Sequence, residues 1–208
     1  MATPAHLVPS RLAQRAHYDA DTIHSILDEA IFCTVSYSAD NQPFSIPTAF
    51  VRYEDKIYIH GSVGSHMMRE IEKGIPVCIS VTLTDALVVA KSAFHYSMNY
   101  RSVVIFAKAE KVEEHTQKAA AFEWLVDKVT PGSWNYLRTM KENEVKKTMV
   151  LAFSLEEASA KVRTGMPIDD EEDQALPVWS GLIPLKTERM PPLPDDLSVN
   201  LPLPPHLQ

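Results

Sequence analysis

Residues 75–112 are IPVCISVTLTDALVVAKSAFHYSMNYRSVVIFAKAEKV, and they contain two long runs with the pattern of β-strands. The first run, residues 75–92, predicts one long bent strand or two strands joined by a turn at Asp85. The second, residues 101–112, begins with an apolar run and then alternates between apolar and polar residues. A crowded polar and aromatic segment precedes the second strand and makes this region a candidate binding site: His95, Tyr96, Ser97, Asn99, Tyr100, Arg101 and Ser102.

Short strands also dominate the rest of the chain. Helices are inserted between them: one capped by Asp19 or Asp21, one over 65–74 and one over 113–132, with a further turn in 141–150. This order disfavours a doubly wound parallel sheet and favours a mainly antiparallel β-barrel with flanking helices. The other predicted strands are 30–38, 44–54, 55–61, 148–163 and 176–186.

The length of 208 residues allows one domain with a sizeable core. We expect an irregular N-terminal arm over 1–18, a single barrel domain over 19–186 and a proline-rich C-terminal arm over 187–208. The sequence has no apolar run of transmembrane length and no signal-peptide core at its start. A soluble cytoplasmic protein without a membrane partner is therefore expected.

Charge and composition disfavour several function classes. The net charge of −7 argues against nucleic-acid binding, which needs a basic surface. Cys33 and Cys78 lie in apolar runs and are predicted to be buried, reduced thiols. The histidines and cysteines show no metal-ligand spacing, so no metal site is predicted, and no Gly-x-Ser-x-Gly elbow occurs.

The segment HGSVGSHMMRE, residues 60–70, has the order of a strand, a loop of small residues and a helix N-terminus. Such a helix end favours an anion, and serine hydroxyls and nearby cations add further donors. The alternative is that Ser65 only caps the helix and Arg69 is an ordinary surface residue. The segment lacks the Gly-Lys-Ser/Thr of a Walker A loop.

Two further segments offer donors and cations. Residues 99–102 at the predicted strand start suit a planar or anionic ligand, or they form an ordinary loop. In SAKVRTG, residues 159–165, Ser159, Lys161 and Arg163 alternate along a strand and so share one face. That face suits a phosphate, although a solvated barrel exterior gives the same pattern.

Three single residues are also candidates. The indole of Trp179 either covers one face of a flat ring or packs in the core. His60 and His95 lie near strand ends, where a histidine is either a haem ligand or a hydrogen-bonded structural group.

Two of these segments resemble a known family. FSIPTAFVRYEDKIYIHGSVGSHMMREIEKGIPVCISVTL (44–83) and HYSMNYRSVVIFAKAEKV (95–112) resemble the pyridoxamine 5′-phosphate oxidase-like superfamily of FMN-binding split barrels. The resemblance is greatest to the flavin-nucleotide-binding and nitroimidazole-reductase-like branch. SLEEASAKVRTGMPIDDEED (154–173) and LPVWSGLIPL (176–185) also resemble that branch, so the resemblance covers roughly residues 19–186.

This resemblance implies a six-stranded antiparallel split β-barrel that forms a homodimer, with FMN in a groove between the subunits. The cofactor, and not a protein side chain, would carry the catalytic chemistry. The implied cofactor-binding residues are Ile46, Pro47 and Thr48 along the isoalloxazine, His60, Gly61, Ser62, Ser65, His66 and Arg69 around the ribityl phosphate, Asn99, Tyr100, Arg101 and Ser102 at the ring edge or phosphate, and Lys161, Arg163 and Trp179 from the partner chain.

The resemblance implies an FMN-dependent oxidoreductase that uses a reduced nicotinamide and a small-molecule acceptor. It does not imply a true pyridoxamine phosphate oxidase, because no Arg-x-His follows Trp179. His66 and Met67 replace the usual Arg-Lys after Ser65, so one phosphate cation is missing, and either Arg69 or His66 replaces it or FMN binds weakly. Two alternatives stay open. One is haem binding on the same fold with His60 or His95 as ligand, and the other is a cofactor-free dimer that binds partners through its surfaces.

Overall fold

The computed structural model describes residues 4–208, and its strands all pair in the antiparallel sense. The strands in this part of the chain are β1 (Ala16–His17), β2 (Phe32–Ala39), β3 (Gln42–Ala49), β4 (Val51–Tyr53), β5 (Lys56–Ser62), β6 (Pro76–Val89), β7 (Ser97–Lys108), β8 (Glu110–Lys111), β9 (Thr148–Ser154), β10 (Ala158–Arg163) and β11 (Gly181–Pro184). The helices are α1 (Ala20–Glu29), α2 (His66–Ile71), α3 (His115–Val129) and α4 (Glu142–Lys146).

The strands form two sheets. The larger has the order β1-β10-β7-β6-β2-β3, with β11 also paired to β6, and the smaller has the order β4-β5-β9-β8. Two predicted strands are divided between the sheets: 44–54 becomes β3 and β4 around the buried Phe50, and 148–163 becomes β9 and β10. At these two places the chain passes from one sheet to the other, so the two sheets enclose one core. The predicted antiparallel split-barrel fold is confirmed.

One core lies between the two sheets, because alternate side chains of each strand point inward. Over residues 77–81 of β6 and 103–105 of β7, the inward side chains are apolar and buried. The smaller sheet supplies the opposite wall. The buried side chains include Val77, Ile79, Val81, Val103 and Ile105 from the larger sheet, and Ile57, Ile59, Leu151 and Phe153 from the smaller one.

The strands β6 and β7 differ from the sequence expectation at their junction. Of the two alternatives for residues 75–92, the structure shows a single strand with a register shift at Asp85, which is a β-bulge. Strand β7 begins at Ser97 and not at residue 101. Residues 100–102 therefore pair with strands on both sides and Asn99 pairs with β6, although this polar segment has no apolar run that predicts a strand.

The helices pack against the barrel, and α1 and α2 add buried side chains to its core. Asp19 caps α1, since its side chain accepts a hydrogen bond of 2.8 Å from the backbone N–H of Thr22. Helix α2 spans six residues, fewer than predicted, and the chain then turns at Gly74 with φ +80°. Helix α3 covers the outer face of the smaller sheet through Trp124, which stacks on Tyr53 with 3.7 Å between ring centroids.

Both terminal arms contact the barrel. The N-terminal arm, predicted as irregular, contains strand β1, which pairs with β10, and its Leu7 is buried. Near the other end, His206 Nε2 lies 3.0 Å from Ser133 Oγ, and its ring lies 4.3 Å from that of Tyr136. No helix within residues 4–208 is long and apolar enough to cross a membrane.

Candidate functional site

The outer face of the larger sheet gathers several of the predicted site residues. Opposite residues of antiparallel strands point to the same face. Lys161 of β10 lies opposite Ser102 of β7, and Arg163 lies opposite Tyr100. The structure therefore brings Tyr100 and Ser102 together with Lys161 and Arg163 on one face, at the β10 side of the sheet.

Arg163 is the most unusual residue of this face, because its side chain is buried with only 8% exposure. Its Nη1 donates to Asn99 Oδ1 at 2.5 Å and to the Met98 carbonyl at 3.5 Å. Asn99, also buried, donates its Nδ2 to the Gly165 carbonyl at 3.0 Å. The guanidinium is thus held in a fixed position, and its Nε and Nη2 groups have no hydrogen-bond partner within residues 4–208.

Arg163 also has no acidic partner in the described part of the chain. Burial lowers the pKa of its guanidinium, and the positive charge of nearby Arg15 lowers it further. Burying a charge without a counter-charge costs free energy. A bound anion would remove that cost, so Arg163 is a candidate anion ligand.

Further lysine and arginine residues lie on β10 and on the N-terminal arm beside it, and we name Arg11, Arg15, Lys161 and Arg163 the cation cluster. Strand β1 places the N-terminal arm beside β10, with Ala16 opposite Lys161. Lys161 Nζ donates to the Arg11 carbonyl at 3.5 Å. Within residues 4–208, the ion pairs of lysine and arginine all involve other residues. In a chain of net charge −7, the four residues of the cation cluster thus form no ion pair within residues 4–208.

Arg101 has the opposite environment. It lies opposite Val162 and Leu83, so it points to the inner side of the sheet, away from Arg163. Its guanidinium forms ion pairs with Glu29 of α1 and with Asp85 at the bulge of β6. These hydrogen bonds raise the pKa of Arg101 and lower that of Glu29. Two carboxylates thus compensate the positive charge of Arg101, and in this structure the side chain links α1 to the sheet.

The loop before α2 uses its hydroxyl groups internally. The Gly64 backbone N–H donates to Ser62 Oγ at 3.1 Å, and that of Met68 donates to Ser65 Oγ at 3.4 Å. The simpler alternative, Ser65 as a helix cap, is what the structure shows. His66 Nδ1 lies 3.4 Å from the Tyr37 hydroxyl, and Arg69 is exposed.

His60 and Gly61 precede this loop and point in opposite directions. The His60 ring packs against Phe122 of α3 at 5.2 Å, beside a cavity of only about 10 Å³. Burial lowers the pKa of His60, which favours the neutral imidazole. Gly61 faces the core, where a Cβ atom would lie 2.8 Å from Met68 Cγ. His60 is therefore on the α3 side of the smaller sheet.

The predicted ring-contacting residues lie far from the cation cluster within one chain. Ile46, Pro47 and Thr48 belong to β3, the last strand of the larger sheet, and Ile46 is 38% exposed. At about 4.8 Å between neighbouring strands, β3 is about 19 Å from β10. Trp179 is 65% exposed beside Gly181 and next to β6. Within one chain, the predicted ring-contacting residues and the cation cluster thus lie toward opposite edges of the larger sheet.

Sequence analysis missed Arg11 and Arg15. The arm has no apolar periodicity, and a strand of two residues is too short to produce one. It also missed the acidic partners Glu29 and Asp85, because Glu29 is 72 residues from Arg101 in sequence. The only available signal for the arm was its pair of arginines, four residues apart, in an acidic protein.

Comparison with known families is consistent with this architecture. The model of the pyridoxamine 5′-phosphate oxidase family matches residues 19–162, which is more than half of the chain. The chain belongs to the pyridoxamine 5′-phosphate oxidase-like family. A search of curated proteins found no matching relative.

Two solved structures of this superfamily are similar over nearly the whole chain. The flavocytochrome Anf3 from Azotobacter vinelandii is 36% identical with a TM-score of 0.93, over 98% of this chain and 95% of that one. The FAD and heme binding protein from Mycobacterium smegmatis is 33% identical with a TM-score of 0.88, over 92% and 95%. A putative 5-nitroimidazole antibiotic resistance protein from Bacteroides thetaiotaomicron, 22% identical with a TM-score of 0.60 over 71% and 86%, shares the fold.

Proposed function

We propose that the protein is a dimeric flavin-binding oxidoreductase that takes electrons from a reduced nicotinamide and passes them to a small acceptor. The observation that carries the proposal is Arg163, a buried guanidinium that Asn99 holds in place and that lacks a carboxylate within residues 4–208. The family of the chain and its similarity to a flavocytochrome support the phosphate of a flavin as the anion that Arg163 binds.

The described residues fit a flavin phosphate. Arg163 and Lys161 supply charge-assisted donors, and Tyr100 and Ser102 lie on the same face. When bound, the flavin supplies hydride and electron transfer. The chain's own task is to bind the phosphate, orient the ring and keep water from it. FMN follows from the resemblance, whereas the mycobacterial relative binds FAD, so the proposal covers a flavin of either kind.

The dimer is proposed because the ring-contacting residues on β3 and the cation cluster lie at opposite edges of one sheet. A second copy is needed to bring the two groups to one ligand. The large apolar side chains that remain exposed in one chain also support a dimer, since exposed apolar surfaces mark interaction sites. Examples are Phe94, 89% exposed, Ile168 and Trp179.

Pyridoxamine phosphate is not the proposed substrate. Members of the family that oxidise it carry an Arg-x-His signature near the C-terminus, and this chain has none after Trp179. The small acceptor is therefore a different compound that reaches the flavin.

A haem is a second candidate ligand, supported by the names of the two relatives. His95 fits this role better than His60, because the cavity beside His60 holds about one water molecule. His95 Nε2 is held by Asp170 Oδ2 at 3.1 Å, and the exposed apolar side chains of Phe94 and Met98 flank it in sequence.

The first test is a titration of the purified protein with FAD, FMN and haemin, followed by absorption spectra after gel filtration. Retained flavin bands, and their bleaching by NADH or NADPH without oxygen, are expected. Wild-type protein that retains neither flavin would overturn the proposal. For haem, loss of the Soret band in His95→Ala but not in His60→Ala would support His95 as the ligand. The proposed dimer is tested separately by measuring the molar mass in solution with light scattering.

A further inference from the structure

We infer that the N-terminal arm completes the anion site, and that Arg15 with Arg163 and Lys161 binds the diphosphate of a flavin dinucleotide. This inference rests on the proposed function, because it takes the cation cluster as the place where the flavin phosphate binds. It goes further by assigning a binding role to a segment outside the region that matches the family.

The arm has a fixed position on both sides of its arginines. On one side, β1 pairs with β10, with Ala16 opposite Lys161 and His17 opposite Ala160. On the other side, Leu7 is buried, and the Tyr18 hydroxyl donates to its carbonyl at 3.3 Å. Arg15 directly precedes Ala16, so it lies next to the part of β10 that carries Lys161 and Arg163.

The cations of the proposed site lie on two neighbouring segments of the chain. On β10, Arg163 offers the N–H groups of Nε and Nη2, and the Lys161 ammonium lies two residues away on the same strand face. The arm that pairs with β10 adds the guanidinium of Arg15. Cations on two neighbouring segments suit the two linked phosphates of a diphosphate.

The electrostatics lead to the same result. Burial lowers the pKa of Arg163, and the positive charge of Arg15 lowers it further, so the two positive charges repel each other. Neither has a carboxylate within 4.0 Å in residues 4–208. A diphosphate that lies between β10 and the arm would separate the two cations by anionic oxygens and would convert this repulsion into attraction.

The test compares Arg15→Gln with wild type and with the matched control Arg138→Gln. Arg138 lies between α3 and α4 and pairs with Glu144 of α4. Apo protein is titrated with FAD, FMN, NADH and inorganic pyrophosphate by calorimetry. We expect Arg15→Gln to weaken FAD binding about 10-fold or more and FMN binding less than about 3-fold. Arg138→Gln should change neither affinity.

Limited trypsin digestion gives a second measurement, because the exposed Arg11 is a cleavage site in the arm. FAD should slow cleavage there more than FMN does. No effect of Arg15→Gln, or an equal effect on both flavins, would overturn the inference. If Arg15→Gln weakened the binding of NADH and not that of FAD, the diphosphate bound by the arm would not be that of the flavin.

The proposed function and this inference fail in different ways. Wild-type protein that binds no flavin overturns the proposed function. In that case, pyrophosphate binding that Arg15→Gln weakens still supports the anion site of the arm, and absence of pyrophosphate binding overturns it as well.

Discussion

Arg163 and Arg101 lie on adjacent strands of one sheet, and their guanidinium groups have opposite surroundings. Arg101 pairs with two carboxylates, Glu29 and Asp85, and so joins a helix to the sheet. Arg163 is more buried, yet it contacts only the neutral oxygens of Asn99 and Met98 within residues 4–208. A compensated arginine stabilises the fold, whereas an uncompensated one, held rigidly, is suited to a ligand that brings the missing charge.

The largest expected effect is on ligand affinity at Arg163. Arg163→Met should weaken flavin binding about 100-fold, because a charge-assisted contact in a buried site is lost. Flavin titration measures this change, and urea unfolding of the apo protein shows whether the fold is retained. If Arg163→Met bound flavin with the affinity of the wild type, Arg163 would not be a flavin ligand, and the proposed difference in role between the two arginines would be wrong.

Arg101 is expected to show the reverse result. Arg101→Met leaves Glu29 and Asp85 without their shared partner and should lower the free energy of unfolding by about 1 to 2 kcal/mol. Flavin affinity should change by less than about 3-fold. Strong loss of flavin with unchanged stability would instead return Arg101 to the cofactor contacts that the family resemblance implies.

Gly61 extends the comparison to the loop before α2. Gly61→Ala places a Cβ atom 2.8 Å from Met68 Cγ in the core and should cost about 1 kcal/mol of stability. Gly64→Ala is the matched control, since its Cβ atom would meet only Ser62 Oγ at 3.5 Å. Equal stability of both variants would show that Met68 moves aside without cost.

Lys128 also has no carboxylate within 4.0 Å in residues 4–208, and its environment differs from those of both arginines. Its Nζ donates to the Leu27 carbonyl at 2.8 Å and lies over the Phe50 ring at 3.7 Å. Burial lowers the pKa of Lys128 to about 8. Between this value and about 10.4, the pKa of an unfolded lysine, the unfolded chain binds more protons, so stability should rise with pH.

This smallest effect is measured as a difference between wild type and Lys128→Met in urea unfolding from pH 7 to 10. The difference is needed because burial raises the pKa of the Cys33 thiol to about 12. The unfolded chain loses that proton above about pH 8.5, so Cys33 lowers stability at high pH in both proteins. A difference that stays constant with pH would contradict the assignment to Lys128.

Local patterns predicted much of the fold. The alternation of Val77, Ile79 and Val81 predicted a strand with one buried face, and Asp19 predicted the start of α1. The start of β7 was misplaced, because residues 99–102 pair in the sheet without being apolar. The division of 44–54 at Phe50 depends on which sheet each half joins, which no local pattern contains.

The sequence predicted many of the candidate site residues, but it did not predict which of them lie in contact. Asn99 and Arg163 were both candidates, but their contact joins residues 64 positions apart and shows only in the folded chain. The same holds for Arg15, whose role depends on a two-residue strand pairing with β10. Side-chain chemistry thus indicated an anion, while the pairing of strands decided which cations meet.

The order of strands in the larger sheet, with β3 and β10 at opposite sides, has a consequence for mixed assemblies. In the proposed dimer, each of two equivalent sites takes its cations from one protomer and its β3 residues from the other. A protomer altered at Arg163 and a protomer altered at Thr48 therefore place both defects in one site and leave the other intact. Co-expression of two inactive variants should restore activity, up to half of the sites in each hybrid molecule.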